Sequence, residues 1–337
     1  MIQPKFFLKP DLDQLRQYNS MLVHRSLLVL GALAVANSLP YLNIAGFSWV
    51  ENLIFDGLGK MFLSEWRQGK IYSVSLCTYS TEYCTEKWLD TDDFEHICGL
   101  ATTTDGKQLY AGVTFVTDVE AEKYGIISLS TVDKTNTYSV LTYLPYMPNG
   151  LQLDFVRNVF YFTDEGMSSD IGGTLNMYNI SSGTLSIIKN HIDGADGCWL
   201  DRANSRLYVG LVMKKSVLVF DTQTNTLISE YPGLSELSIL HQLDDLTLYS
   251  TSTASADDTM ILGADWMDKN IKLFNLKGTN ITDINVDESL NIHKLYEVTS
   301  VRWGMGPGFD TNSIYVSEGG GLTKDTTSRR VLQIKIN

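Results

Sequence analysis

Pro148-Asn149-Gly150-Leu151-Gln152-Leu153-Asp154 is a short motif that returns along the chain with its leading polar residue changed each time. Asp196-Gly197-Cys198-Trp199-Leu200-Asp201 repeats it with a carboxylate in place of the amide, and Glu51-Asn52-Leu53-Ile54-Phe55-Asp56 is an earlier copy. Cys98-Gly99-Leu100-Ala101-Thr102 is a degenerate copy, and Asp244-Asp245-Leu246-Thr247-Leu248 and Thr299-Ser300-Val301-Arg302-Trp303 are later ones. The lead positions Glu51, Cys98, Asn149, Asp196, Asp244 and Thr299 are 47 to 55 residues apart, in the range of propeller blades. Six copies predict an all-β, six-bladed propeller of four-stranded antiparallel blades.

Between lead residues the chain reads as turn, strand, turn, strand. In the first unit residues 53–55 precede the turn Asp56-Gly57-Leu58-Gly59, then come 61–64 and 69–74, each β-rich and alternating. Residues 206–209 and 216–220 follow the same order in the fourth unit. No helical period is evident after Pro40, which excludes a parallel α/β sheet. A meander has exposed edges, and radial repetition protects them. The ring closes if residues 41–47 supply the last strand of a blade otherwise built from 298–303, 313–316 and 331–336.

The 337 residues form one domain on this reading, preceded by an extension. In residues 1–38 an apolar run over 27–36 is too short to span a bilayer and ends at the small-x-small site Ala36-Asn37-Ser38, so it is read as a secretory signal whose start is Met1 or Met21, with a membrane anchor or a buried N-terminal helix as the alternatives. Residues 39–337 are the propeller, with no membrane span after cleavage. A formal charge of -13 argues against nucleic acid or an anionic membrane as partner. Export agrees with a local disulfide between Cys77 and Cys84, with Cys98 and Cys198 free, and with glycosylation acceptors at Asn179 and Asn280.

In a propeller the innermost strand of each blade lines the central channel, so equivalent positions collect into a ring. Glu51, Asn149, Asp196 and Asp244, with Asp245 adjacent, then repel one another unless protons or a cation neutralise them. Oxygen-only donors suit Ca²⁺ first and Mg²⁺ or Mn²⁺ next; Zn²⁺ is possible but less suited, since no His or Cys pair has ligand spacing. The bland alternative is that each residue caps a strand end at a wet channel mouth.

These motifs, in this order, resemble the SMP-30/gluconolactonase/LRE-like family of calcium-dependent propellers, with paraoxonase-like, diisopropylfluorophosphatase-like and strictosidine synthase-like proteins as distant relatives. The resemblance implies a metal held by Glu51, Asn149 and Asp196, joined by Asp244 as in the paraoxonase-like proteins. It also implies a lactonase or esterase in which the metal polarises a carbonyl and a carboxylate activates water, with Asp196 as base and Asp244 as second candidate. The second blade departs from the family: Cys98, preceded by His96, stands where the relatives carry other polar residues, so His-assisted catalysis and sugar-lactone specificity do not carry over. His96, Cys98 and Thr299 are candidate substrate-binding residues, although Cys98 reads equally as a small apolar filler.

The function expected is therefore a secreted, metal-dependent hydrolase of a small lactone or ester. The alternatives are a non-catalytic propeller binding a ligand or protein with a structural cation, and a metal-free strictosidine synthase-like enzyme. Trp66, Trp199, Trp266 and Trp303 are read as packing between sheets, Gly304-Met305-Gly306-Pro307-Gly308 as a strand connection, and His191, His241 and His293 as loop residues.

Overall fold

The structure, a computed structural model, describes residues 42–78, 80, 82–166, 172–231, 242–250, 255–279, 281–284, 295–319 and 329–336. Chain contacts divide it into Met1–Pro40 and Tyr41–Asn337. The expected signal, Met21, Asn280, His241 and His293 lie outside the described residues.

Six four-stranded antiparallel sheets follow one another along the second unit, each built from consecutive strands except the last. Blades I to V occupy residues 50–89, 94–144, 151–192, 195–231 and 243–283. Their inner strands are Val50–Phe55, Phe94–Thr102, Leu151–Asp154, Ala195–Asp201 and Leu243–Ser250, and that of blade VI is Val298–Trp303. Blade VI continues through Ser313–Glu318 and Arg330–Lys335 and is completed from the N-terminal side by Asn43–Ala45, with Ile44 opposite Val331. The closure expected from the sequence is therefore present. Among the described residues the only helical segments are the single turns Glu120–Glu122 and Ala256–Asp258.

The hydrophobic core is six interfaces rather than one centre. Phe62 packs into the cluster between blades I and II, while its neighbours Met61 and Leu63 pack into the one between VI and I. Tyr208 likewise faces blade V, and Leu207 and Val209 face blade III. Successive side chains of a strand point to opposite faces, so a blade buried on both sides needs an apolar run rather than alternation. That is why the second strands, such as 159–164 and 206–211, are apolar and buried nearly throughout.

The pairing of inner with second strand slips by a residue at every lead position. The slip falls between Val50 and Leu53, Ile97 and Leu100, Ala195 and Cys198, Leu243 and Asp245, and Val298 and Ser300. In blade III Thr163 pairs with both Asn149 and Gly150. A bulge of this kind re-aims the residues beside it, here at one end of the channel. The glycine after the lead residue has its own cause. A Cβ on Gly150 would come to 2.7 Å from the Asp196 carbonyl oxygen, and one on Gly197 to 2.7 Å from that of Asp244. Each glycine thus lets the next blade's backbone close in at the axis.

Candidate active site

Asn149 stands at the centre of the lead residues. Its Nδ2 donates to Asp196 Oδ1 at 2.7 Å and to Glu165 Oε1 at 3.0 Å, while its Oδ1 is buried without a hydrogen-bond partner among the described residues. Glu51 is buried and accepts from Trp49 Nε1 through Oε2 at 2.6 Å. Asp244 keeps partial exposure.

The electrostatics tie these groups together. Burial, then the charges of Asp244, Glu165 and Glu51, holds the Asp196 carboxyl well above the usual carboxylate range. Asp244 is raised by burial and then by Glu51, Glu165 and Asp245. Glu51 is pushed up to about 7 by burial, with Glu165 and Asp245 adding to it and Trp49 opposing. Glu165, also raised by burial, faces Asp196 within hydrogen-bonding reach. Four carboxyl groups from blades I, III, IV and V therefore sense one another around one amide.

The donor set fits a hard divalent cation: oxygen atoms only, excess negative charge, and an amide oxygen with no partner. The arrangement is not a closed coordination sphere. Among the described residues no three His, Cys, Asp or Glu side chains are grouped closely enough to hold one ion, and Asn149 turns its nitrogen, not its oxygen, toward the carboxylates.

Glu165 is not among the residues that the repeat singles out. It follows the second strand of blade III, Val159–Asp164, whose antiparallel course returns the chain to the mouth where Asn149 lies. Acids at the ends of other second strands serve the backbone instead: Glu65 accepts from Ser48 N, Asp265 from Gln242 N and Glu318 from Tyr296 N. The available signal was the pair Asp164-Glu165 before Gly166, one acid more than those blades carry.

A cavity of about 370 Å³ opens beside Glu165, lined by Trp66, His96, Thr114, Tyr146, Asp164 and Glu165 among others. His96 stacks on Trp66 with ring centroids 4.1 Å apart and is held by Nδ1 against Trp66 O at 3.0 Å. Asp164 is pushed up to about 6, mainly by burial. Of the three expected substrate-binding residues only His96 lines this cavity. Cys98 is wholly buried, and burial and the neighbouring carboxylates raise its thiol well above the ordinary range. Thr299 is wholly buried and donates from Oγ1 to Val50 O at 2.7 Å, tying blade VI to blade I.

Cys77 and Cys84 form the expected disulfide, consistent with an extracellular protein, and Cys98 and Cys198 are free and buried. Among the described residues no helix is long and apolar enough to cross a membrane. Asn179 ends a strand and accepts from Ser182 N in a surface turn. His191 lies in the outer strand Thr184–Ile192 rather than in a loop. The tryptophans do more than pack: Trp199 and Trp303 sit between blades but also wall a second cavity, and Trp66 walls the first.

No protein-family model matches this sequence, and no curated protein matches it. Solved structures do. A luciferin-regenerating enzyme is 12% identical with a TM-score of 0.62, covering 88% of this chain and 96% of that one. An auxiliary nutrient binding protein from Bacteroides thetaiotaomicron VPI-5482 is 13% identical with a TM-score of 0.61, covering 86% and 69%. A chain of a nidogen/laminin complex is 16% identical with a TM-score of 0.54, covering 69% and 78%. The likeness is one of fold. These neighbours agree with a six-bladed propeller and leave membership of the SMP-30/gluconolactonase family as a resemblance.

Proposed function

We propose that the protein is a secreted, divalent-cation-dependent hydrolase of small lactones or esters, with Ca²⁺ the preferred ion. The observation that carries the reading is the unpartnered Oδ1 of buried Asn149 among Glu51, Glu165, Asp196 and Asp244, beside a cavity large enough for a small substrate. Rotation of the Asn149 amide presents that oxygen to the carboxylate cluster, and Glu51, Asp196 and Asp244 supply the remaining protein donors. Glu51, Asn149, Asp196 and Asp244 would hold the ion, which would supply polarisation of a carbonyl oxygen and favour the ionised form of the acids around it.

The chain's own residues then have distinct tasks. Asp196, in its anionic form, takes a proton from water at its carboxylate; Asp244 is the second candidate for this task. His96, Tyr146 and Trp66 form the wall against which the substrate's body rests. Cys98 stays a protonated filler.

A second reading, a ligand-binding propeller with a structural cation, is favoured by the open arrangement of the acids. One experiment separates them: metal analysis of the purified protein, followed by hydrolysis of phenyl acetate and a δ-lactone panel with EDTA and after return of Ca²⁺. Turnover lost and restored supports the hydrolase. Thermal stabilisation by Ca²⁺ with no turnover supports the binder.

A further inference from the structure

The larger cavity, about 460 Å³, is not beside the carboxylates. It is lined by the far ends of the inner strands, Ile54 and Phe55 in blade I, Gln152 in blade III, Trp199 in blade IV, Thr247 in blade V and Arg302 and Trp303 in blade VI. Lead residue and far end are separated by about four residues of strand in blade I, or roughly 13 Å. The two cavities share no lining residue.

Its floor is polar in one particular way. Arg302 is buried and immobilised: Nη1 pairs with Asp245 Oδ2 at 2.5 Å and donates to Val301 O at 2.8 Å, and Nη2 reaches Asn52 Oδ1 at 3.4 Å. Among the described residues its buried Nε has no acceptor, and the Oγ1 of fully buried Thr247 has no partner either. Two residues from adjacent blades that line this cavity therefore each hold a buried, unsatisfied polar atom just behind its wall, at the cost of an unmade hydrogen bond. Arg202 stands at the rim, its Nη2 donating to Leu153 O and its guanidinium stacked 5.0 Å from the Phe155 ring. The one acid in the wall, Asp56, has its Oδ1 engaged by the N–H groups of Leu58, Gly59 and Lys60.

The walls are flat and apolar. Trp199 lies under the Arg302 guanidinium at 4.9 Å, and Trp303 spends its indole N–H on Leu248 O at 2.9 Å, leaving ring faces as its contribution. We infer that this mouth of the channel is a second ligand site, for a flat aromatic carboxylate: the carboxylate accepts from Arg302 Nε–H and Thr247 Oγ–H with Arg202 beside it, and the ring lies against the indoles. The volume is in the range of small-molecule pockets. The inference is independent of the proposed hydrolase activity.

The test titrates the full chain with 2-naphthoate, following tryptophan fluorescence and heat, with 2-naphthamide as the uncharged counterpart. The expected result is saturable 1:1 binding of naphthoate, about tenfold weaker binding of naphthamide, and about tenfold loss of naphthoate affinity in both Arg202→Gln and Thr247→Val. Circular dichroism confirms that each variant is folded; Thr247→Val keeps the side-chain shape. Asp196→Asn, at the other mouth, retains naphthoate affinity. Absence of saturable binding, equal affinity for the amide, unchanged affinity in both variants, or equal loss in Asp196→Asn overturns the inference.

Discussion

Asn149 donates through Nδ2 to Asp196 at 2.7 Å while Oδ1 of the same amide is buried without a partner among the described residues. An amide so placed serves the carboxylates when they are the only charges present; in the proposed function it also serves a cation. Asn149→Ala removes that oxygen, and Ca²⁺ affinity is expected to fall by about 10–100-fold with the propeller intact. Equilibrium dialysis with circular dichroism checks both halves; unchanged affinity removes Asn149 from the site.

Without a cation the same cluster makes stability fall as pH rises. Glu51 is raised to about 7, and Asp196 and Asp244 are held well above their ordinary values. For an acid whose folded pKa exceeds its unfolded value, the stabilising contribution is full below the unfolded value, about 4, and is lost as pH rises through the folded one. Every tenfold difference in proton affinity between the folded and unfolded chain is worth about 1.4 kcal/mol. In EDTA the melting temperature should decline between about pH 5 and pH 8, and Ca²⁺ should recover it at the upper end of that range. A flat profile in EDTA would show that the folded protein does not raise these acids.

Asp196→Asn keeps the shape of the side chain and removes its basicity. Turnover of the best ester or lactone is expected to drop by about 10²–10⁴-fold, with the circular dichroism spectrum unchanged. If Asp244→Asn shows that loss instead, the base lies on blade V.

Deeper in the channel, Asp245 accepts from Ser300 Oγ at 2.6 Å and pairs with Arg302, joining blades V and VI, and Arg302 reaches Asn52 in blade I. Asp245→Ala leaves a buried guanidinium without its counter-charge and should destabilise the fold by about 3–5 kcal/mol in urea unfolding. Combining it with Arg302→Met should recover much of that loss, because an apolar pair removes the stranded charge. A double variant no better than the single one argues that the pair's hydrogen bonds to the neighbouring blades matter more than its charge.

What could be read from the residues follows from periodicity. A unit returning every 47 to 55 residues, with two-residue alternation inside it, reports blades, their inner strands and the closing strand near Ile44, because each depends on local pattern and repetition. The lead positions were legible as a repeat for the same reason, but Cys98 and Thr299 among them are wholly buried.

Glu165 was not legible. Glu65, Asp265 and Glu318 end second strands in a similar way and each accept from a backbone N–H, Glu318 pairing with Arg330 as well, so residue type alone does not separate a cluster acid from a capping one. The second cavity was hidden for a related cause, since Trp199 and Trp303 look like packing residues in any one blade and become a pocket only where two blades converge.

The amino-acid sequence by itself determined the number of blades and their order, because those are properties of a repeated local pattern. Only the tertiary structure decided which of their polar atoms find partners. Asn149 Oδ1, Arg302 Nε and Thr247 Oγ1 are left unsatisfied by the approach of strands far apart in the chain, and that approach is set by packing across blade interfaces.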